Sequence, residues 1–365
     1  MINDERILPM KKVIITLALL TTCLCVGCKE PITYEKIPWS VSASGDVPLK
    51  QVGIPPEGMY FSELTGEPIP LELKDQRPIA VMVDNEMFAY PHFGLSEADV
   101  VYEMINSLHN DRITRLMALK KDYASIEQMG SIRSTRDTNI LLQAEWNSIL
   151  VHDGSSKISL PLFENGYARD HISGTLSRVD NGKNWEFTEY ILPGDIESNI
   201  KDLGIDPSYN EYKPDVKSHF QFAIYDGDEV LEEGDSATYV AFPFPHNDSE
   251  LKYNEDTKTY DYYCYGDIHV DGEDDKVLSF KNVLIQDIEM VSTDNEGHVR
   301  YTLVDSGKGG YYLSNGHMQK ITWEKKDEMD ITRYYDENGE ELVINMGNTY
   351  IALVPSDSWS ELIVE

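Results

Sequence analysis

The chain has 365 residues, of which 41% are hydrophobic, and its 31 basic and 64 acidic side chains give a formal charge of -33 at pH 7. This apolar fraction can fill hydrophobic cores, so the composition excludes a wholly disordered chain, and the length allows two domains. So acidic a chain repels a phosphate polymer, and we therefore expect no nucleic-acid partner.

The N-terminal residues have the pattern of an export signal. Met10-Lys11-Lys12 precedes an apolar run at residues 13–27, which is shorter than the roughly 20 residues of a membrane span. Residues 1–9 carry acids and a proline that suit a signal badly, so we expect translation to start at Met10. Residues 1–27 are predicted to be a signal peptide, with a plain secretory signal and an uncleaved anchor as the alternatives.

The end of this run resembles the box at which bacterial lipoproteins are cleaved. Gly27 precedes Cys28, and in that box a small residue precedes the cysteine that becomes the lipidated N-terminus. Cys25 stands where the box usually has leucine, and Cys23 is a poorer alternative because Thr22 before it is large. We therefore expect an extracytoplasmic lipoprotein of the cell envelope, anchored in the membrane through Cys28.

The remaining cysteine and the following residues fit an exported body on a tether. Once the predicted signal is removed and Cys28 is lipidated, only Cys264 is left, so no disulfide is expected. Residues 28–58 consist of the lipidated cysteine and a proline-rich stretch with little periodicity. They are predicted to be a flexible tether.

Residues 59–205 are predicted to form an α/β layered module, because apolar runs typical of buried strands alternate with helical patterns. The predicted strands are residues 77–84, 100–105, 112–120 and 147–151. The predicted helices are a short one at 95–99, one at 135–146 with Ser134 as N-cap, one following Ser155 or Ser156, and one at 194–203.

Residues 206–365 are predicted to form a mainly antiparallel, β-rich module. Asn315-Gly316 lies between alternating segments and predicts a hairpin turn, because both residues adopt positive φ readily. A second such turn is predicted at 336–341, and further strands at 239–242, 282–291, 298–304 and 349–354. The predicted fold class is therefore α+β, with the α/β module first.

Several segments of the chain resemble a known family. They are RPIAVMVDN (77–85), GLSEADVVYE (94–103), RITRLMAL (112–119), GSIRSTRD (130–137), ILVHDGSS (149–156), ITWEKKD (321–327), DITRYYDENGEEL (330–342) and GNTYIALVP (347–355). They are similar to the YerB-like lipoproteins, a family of unknown function from mainly Gram-positive bacteria, and the resemblance spans residues 59–355. It implies an envelope lipoprotein with an α/β N-terminal and a β-rich C-terminal module, and it implies no reaction. The segment His152-Asp153-Gly154 departs from the family pattern.

The segment 130–137 is the most suggestive of a ligand site. It places Ser131, Arg133, Ser134 and Arg136 at or just before a predicted helix N-terminus, where backbone N–H groups, the helix dipole and guanidinium groups all favour an anion. The alternative is structural, with these arginines paired to internal acids such as Glu103, Asp84 or Asp137.

A larger group of polar residues follows the predicted strands, where ligands of α/β sheets bind. The ligand-binding candidates are Asp84, Asn85, Glu103, Arg115, Ser131, Arg133, Ser134, Arg136, His152 and Asp153. This group could form a hydrolase site with His152 as base and the arginines as anion clamps. Turn capping by Asp84-Asn85 and a structural role for His152 are the plainer alternatives.

The sequence predicts no metal site and no cofactor. It has no His-Glu-x-x-His motif, and its cysteines cannot form a zinc site. Residues 271–275 could take Ca²⁺ through carboxylates, but a solvated acidic turn is the favoured interpretation. The tyrosine clusters at 260–263, 311–312 and 334–335 suit sugar rings and equally suit sheet packing.

These patterns lead to two main hypotheses about function. The first is a membrane-anchored lipoprotein that binds or scaffolds an anionic envelope glycan or a partner protein near Arg133 and Arg136. The second is an envelope enzyme, a hydrolase or transferase acting on an anionic glycan or phosphate ester, with His152 and Glu103 as acid and base. A solute receptor for a transporter ranks lower, because such receptors have two similar α/β lobes.

Overall fold

A computed structural model describes residues 53–213, 219–223, 225 and 229–365. The predicted signal peptide, Cys28 and all of the predicted tether before residue 53 lie outside these residues. In the described part of the chain, no helix combines the length and the apolar character that crossing a membrane requires.

Strands make up most of the regular structure. In chain order they are β1 Met59–Phe61, β2 Pro68–Pro70, β3 Ile79–Asp84, β4 Val100–Ile105, β5 Thr114–Lys120, β6 Met129–Gly130, β7 Ile149–His152, β8 His171–Ser173, β9 Ser177–Arg178, β10 Glu189–Ile191, β11 Gln221–Phe222, β12 Asp235–Ser236, β13 Tyr239–Ala241, β14 Glu250–Asn254, β15 Thr259–Cys264, β16 Asp267–Ile268, β17 Ser279–Phe280, β18 Asn282–Ile288, β19 Met290–Ser292, β20 Val299–Tyr301, β21 Asp305–Ser314, β22 His317–Lys325, β23 Arg333–Tyr335, β24 Val343–Ile344, β25 Thr349–Pro355 and β26 Ile363–Val364.

Helices are short and few in the described residues. The α-helical segments are α1 His109–Arg112, α2 Asp137–Glu145 and α3 Asp195–Leu203, and α1 includes three residues with positive φ. Single 3-10 turns occur at Leu71–Leu73, Met87–Ala89, Tyr123–Ser125, Leu160–Glu164, Gly166–Ala168, Trp185–Phe187 and Trp359–Glu361.

One long mixed sheet runs through the described residues in the order β12-β22-β21-β18-β25-β4-β5-β3-β7-β8, with β23 paired to β22. Its central strands β18, β25, β4, β5 and β3 are almost wholly buried. Near-continuous apolar runs such as IAVMVD suit strands covered on both faces. The parallel pairing of β25 with β4 joins strands from both sides of residue 205, and the predicted division at 205 stays a prediction.

The two faces of this sheet are covered differently. On one face, Trp146 at the end of α2 donates its Nε1 hydrogen to the Tyr102 hydroxyl at 3.1 Å. On the other face lies a second sheet, with the order β16-β15-β14-β13-β26 and β17 paired to β15. Phe242, which follows β13, contacts Tyr350 of β25, and their ring centroids lie 5.5 Å apart. The central strands are therefore enclosed between helix α2 and a second layer of strands.

The mainly β character of the chain agrees with the β-rich part of the prediction. The Asn315-Gly316 turn joins β21 to β22 with φ of 53° and 77°. The strands predicted at 77–84 and 100–105 correspond to β3 and β4. Within residues 59–205, α/β layering is not confirmed, because β5 pairs antiparallel with both β3 and β4.

Two predicted helices are wrong. Leu95 to Ala98 form a single turn, because the N–H of Asp99, which a continuing helix would direct to the carbonyl of Leu95, donates instead to the carbonyl of Leu119 at 2.9 Å. After Ser156 the chain forms only the 3-10 turn Leu160–Glu164. Pro161 in that turn lacks the N–H that a continuing helix would need.

Candidate functional site

The predicted site residues separate into three groups in the structure. They are an arginine cluster of Asp84, Arg115, Ser131, Arg133, Ser134 and Arg136; a buried carboxyl network around Asn85 and Glu103; and a histidine–acid group that starts at His152 and Asp153. Asp84 and Arg115 are register partners on β3 and β5, so they share one face of the sheet. Glu103 is in register with Leu116, so it lies on the opposite face.

One buried carboxylate sits at the centre of the arginine cluster. Asp84 is fully buried, and its Oδ2 lies 2.7 Å from Nε of Arg133. Its Oδ1 lies 3.5 Å from Nη2 of Arg115 and also accepts the backbone N–H of Glu86. Asp84 therefore both caps a turn and pairs with two arginines, which joins the two interpretations that the sequence left open.

Arg136 adds a third positive charge to this cluster without a matching acid. Its Nη1 donates to the carbonyl of Thr135 at 2.8 Å, and it forms no ion pair with any carboxylate of the described residues. Burial and the neighbouring charges of Arg115 and Arg133 lower the pKa of Arg136 to about 10. A lowered arginine pKa means that the surroundings disfavour the charge, and an added anion would relieve this.

Several polar atoms of the cluster are buried without a hydrogen-bond partner among the described residues. They are Nε of Arg115, Nε of Arg136 and the hydroxyl of Ser131. Such atoms cost about 1–3 kcal/mol each when nothing satisfies them. The cluster is also accessible, because the Arg133 side chain is 25% exposed.

Helix α2 begins beside these groups, two residues later than predicted. Arg136 is its N-cap residue, and the carboxamide oxygen of Asn139 accepts the N–H of Arg136 at 2.9 Å. Ser134, the predicted N-cap, instead donates its hydroxyl hydrogen to the carbonyl of Asp153 at 2.7 Å. Asp137 in the first turn lies 4.0 Å from Nε of Arg300, and its charge favours the charged form of Arg136.

Glu103 lies in a different environment, a buried carboxyl network without a cation. Its two oxygens accept hydrogen bonds from five donors, which are Thr114 at 2.7 Å, Ser249 at 2.7 Å, Tyr262 at 3.0 Å, Tyr350 at 2.5 Å and Asn85 at 3.2 Å. Burial raises the pKa of Glu103, although these donors oppose the rise. Glu103 therefore joins the two sheets and is wrongly predicted as an acid or base beside the arginines.

His152 is also unsuited to act as a base. Its Nδ1 lies 2.8 Å from the carbonyl of Gly154, so it carries the hydrogen, and its Nε2 lies 3.0 Å from Nδ1 of His171. Both ring nitrogens are therefore occupied, and Phe163 stacks on the ring at 5.3 Å. Burial lowers the pKa of His152 to about 4, so it is neutral and structural at pH 7.

Asp153 belongs to an acid pair beside the arginine cluster. Nη2 of Arg178 lies 2.9 Å from Asp153 and 2.7 Å from Glu189. Burial and the neighbouring Asp153 raise the pKa of Glu189 to about 7. The hydrogen bond from Glu189 and the charge of Arg178 outweigh partial burial and lower the pKa of Asp153. The charge of Asp153 therefore favours the protonated form of Glu189 beside it.

The sequence interpretation missed Arg178, Glu189 and an exposed aromatic rim. Trp185 and Phe88 are 70% and 71% exposed, and the Arg178 guanidinium lies 4.3 Å from the centre of the Trp185 ring. Glu186, next to Trp185, pairs with Arg133 at 2.9 Å. An exposed tryptophan after the turn residues Asn181-Gly182 was the signal in the sequence.

The acidic loops and tyrosine clusters are mostly structural. Asp271 is fully buried, and its carboxylate accepts the N–H groups of Gly94, Ser96 and Glu273, so the predicted solvated turn is wrong at that residue. The described residues hold two groups whose ligand atoms lie within 4.8 Å: Asp294, Glu296 and His298, and Glu97, Glu273 and Asp274. Such groups are common without an ion, and the core contains Tyr260, Tyr262, Tyr312 and Tyr334.

Comparison with known families gives two matches that follow each other along the chain. The model of the protein of unknown function (DUF3048) N-terminal domain matches residues 64–206. The model of the DUF3048 C-terminal domain matches residues 240–351. Together they cover most of the segment in which the sequence resembles the YerB-like lipoproteins.

A related protein and a solved structure agree with these family matches. The chain is 26% identical over 295 residues to a Bacillus subtilis (strain 168) protein named "Putative lipoprotein YerB", covering 80% of this chain and 85% of that protein. The crystal structure of YerB from Bacillus subtilis superposes with a TM-score of 0.70 at 24% identity, covering 84% of this chain and 99% of the other. The resemblance stated from the sequence is confirmed.

Proposed function

Since this chain belongs to the DUF3048 family of proteins of unknown function, we propose that it is a membrane-anchored envelope lipoprotein that binds an anionic ligand at the arginine cluster. The name of the Bacillus relative supports the lipoprotein part, as do the apolar run and the box before Cys28. The two-module division at residue 205 is part of the proposal, supported by family matches at 64–206 and 240–351.

The observation that carries the binding proposal is the charge balance at Arg136. Three guanidinium groups lie within electrostatic reach of one another, and the acids that pair with them are Asp84 and Glu186. Glu186 is 49% exposed on its side chain, so solvent screens its charge. In a protein of charge -33, a local excess of buried and partly buried arginine is the kind of perturbed charge that is concentrated at functional sites.

The geometry favours an oxyanion as the ligand. Guanidinium groups bind carboxylates and phosphates through two parallel N–H bonds. The unpaired hydroxyl of Ser131 and the Nε hydrogens of Arg115 and Arg136 add donors, and the start of helix α2 adds a positive dipole end. A phosphate ester or a uronate in an envelope glycan provides such an oxyanion.

Thermal unfolding of the full chain in a mild detergent tests this proposal. Inorganic phosphate, galacturonate and a muramyl peptide are added separately, with Ca²⁺ as a cation comparison. A ligand at 100 times its Kd adds about 2.7 kcal/mol of stability, which raises Tm by several degrees. We expect a rise with at least one of the anions and none with Ca²⁺.

Two variants locate the effect. Arg136→Ala removes the charge that lacks a partner, and Arg169→Ala removes an exposed arginine as a matched control. The rise in Tm should disappear in Arg136→Ala and persist in Arg169→Ala. An equal rise in both variants would contradict binding at the cluster, and so would no rise with any anion.

An envelope enzyme is the second candidate, and the acid pair favours it. Glu189 has a pKa of about 7, as a general acid at neutral pH requires, and Asp153 accepts from the same Arg178 nitrogen. The charge of Arg133, which helps to lower the pKa of Asp153, favours a phosphate ester as the substrate.

Hydrolysis of bis(p-nitrophenyl) phosphate across pH 5–9 tests the enzyme candidate. Turnover should fall as the pH rises through about 7, because Glu189 loses its proton. Glu189→Gln should abolish the turnover, while the exposed Glu164→Gln should leave it unchanged. Absence of turnover, or turnover that survives Glu189→Gln, rejects this candidate and leaves the binding proposal intact.

A further inference from the structure

The outer face of the hairpin β21–β22 carries a groove far along the sheet from strand β3 and the arginine cluster. Residues in register share a face, so Gly309 with Thr322 and Tyr311 with Lys320 point to the same side. Gly309, Thr322 and Lys320 are exposed, whereas their chain neighbour Gly310 is buried. The face is therefore a solvent-facing surface of the sheet.

The groove has a cavity volume of about 510 Å³. Gly309 and Thr322 form its floor, Tyr311 and Trp359 line one part of it, and Lys320 and the turn at Asp336 complete its lining. An added Cβ at Gly309 would meet no atom within 4 Å. The missing side chain of Gly309 thus leaves open the space that a larger residue would fill.

Two aromatic rings of the groove stack on each other and keep part of their surface exposed. Tyr311 and Trp359 lie with their ring planes at 11° and their centroids 5.6 Å apart. Both rings are only partly buried, and Trp359 is held in the 3-10 turn that follows β25. Parallel aromatic faces pack against the apolar C–H face of a pyranose ring, while hydroxyl and ammonium groups beside them bond to its hydroxyls.

The charges around the groove favour a neutral ligand. Lys320 forms no ion pair among the described residues, and two carboxylates, Asp336 and Glu337, belong to the lining of the groove. The carboxylate of Asp336 accepts the N–H groups of Asn338 and Glu340, so its charge is fixed in its own turn. A polyanion would meet this negative rim, unlike at the arginine cluster, and an uncharged sugar would not.

We propose that this groove is a second binding site, which takes an uncharged pyranose chain, such as the amino-sugar backbone of an envelope glycan, against Tyr311 and Trp359. The proposal is independent of the arginine cluster, since it depends on other residues and on an uncharged ligand rather than an anion. If both sites operate, the protein holds a glycan by its neutral backbone at one place and by an anionic substituent at another.

Calorimetric titration of the full chain in mild detergent with chitohexaose tests the groove. Trp359→Ala should weaken binding about tenfold or more, the effect of losing a central aromatic contact. Gly309→Val should abolish binding without loss of the fold, because the added side chain enters open space. Tyr253→Ala, which removes a partly buried tyrosine of β14 outside both sites, is the control and should bind like the wild type.

Three results would overturn the proposal. The first is no binding of chitohexaose at millimolar concentration. The second is equal binding by the wild type and a folded Gly309→Val variant. The third is binding of a peptide of residues 29–52 to the groove when chitohexaose does not bind. That result would show that the groove receives the chain's own proline-rich segment. None of these results bears on the arginine cluster, which is tested with anions.

Discussion

The two ends of helix α2 differ in how their charges are balanced. At the C-terminal end, the buried carboxylate of Glu145 accepts hydrogen bonds from Nζ of Lys325 at 2.8 Å and from Nε2 of His219 at 2.8 Å. Thr332 donates both its N–H and its hydroxyl to the same carboxylate. At the N-terminal end, the guanidinium of Arg136 donates to one backbone carbonyl and pairs with no carboxylate among the described residues.

This difference separates a structural charge from one that is available to a ligand. Although burial alone would raise it, Lys325 and His219 lower the pKa of Glu145 to about 2, so the charged form is favoured. The surroundings of Arg136 lower its pKa to about 10, so its charged form is disfavoured. Perturbed charges of the second kind are concentrated at functional sites.

Removing the Glu145–Lys325 ion pair at the C-terminal end of α2 should have the largest effect on stability. Glu145→Ala leaves Lys325 buried without its partner, and we expect a loss of about 3–5 kcal/mol in the free energy of unfolding, measured with urea. The double variant Glu145→Leu with Lys325→Met removes both charges and should recover more than half of that loss. A single variant as stable as the wild type would show that the pair is not buried as described.

The carboxyl network tests whether a buried acid without a cation behaves differently. Glu103→Leu leaves the donors of Thr114, Ser249 and two tyrosines without an acceptor, and we expect a loss of about 2–3 kcal/mol in urea. Because Glu103 lacks a cation, the loss should be smaller than that of Glu145→Ala. A larger loss at Glu103 would contradict the ranking of the two environments.

The acid pair predicts a pH dependence of stability. The pKa of Glu189 is raised to about 7, so the folded state holds that proton more tightly than the unfolded chain does. Its contribution is present below about pH 4.5 and is lost as the pH rises through about 7. The contribution of Asp153, whose pKa is lowered, is lost only in acid below its usual pKa.

Melting curves between pH 4.5 and 8 check this expectation. Glu189→Gln cannot lose a proton, so the decrease in Tm over this range should be smaller than in the wild type by a few degrees. Glu164→Gln, at an exposed position, should follow the wild-type curve. Parallel curves for all three proteins would show that Glu189 titrates at its ordinary pKa.

Substitution of Arg136 at the N-terminal end of α2 should change stability least when no ligand is present. Arg136→Ala removes a charge that no carboxylate holds, so we expect the free energy of unfolding in urea to change by no more than about 1 kcal/mol. Arg115→Ala should cost more, because Asp84 then keeps only Arg133. If Arg136→Ala unfolds the protein, Arg136 is a structural residue like Glu145.

The sequence predicted the local elements better than their assembly. Runs such as those of β3 and β4, and the Asn315-Gly316 turn, follow from apolar patterning and positive φ, which are local properties. The insertion of β25 between β18 and β4 depends on contacts over more than 240 residues, such as Tyr350 with Glu103. No local pattern contains that information.

The candidate site was partly predictable for the same reason. The segment 130–137 signals anion binding by its residue types alone, and Asp84 was identified from a strand end. The sequence could not show that Asn85 and Glu103 face away from the arginines, because that follows from the register of β3, β4 and β5. It also could not show that Nδ1 of His171 contacts Nε2 of His152, or that Arg178 pairs with both Asp153 and Glu189.

Direct calorimetric titration of the wild type, Arg136→Ala and Arg169→Ala with inorganic phosphate and with galacturonate tests the central claim most directly. We expect at least one anion to bind the wild type, to bind Arg136→Ala about tenfold or more weakly, and to bind Arg169→Ala within about twofold, because a hydrogen bond to a charged group contributes about 1.5–3 kcal/mol. Equal affinity in all three proteins, or no binding of either anion to the wild type, would contradict an anion site at the arginine cluster.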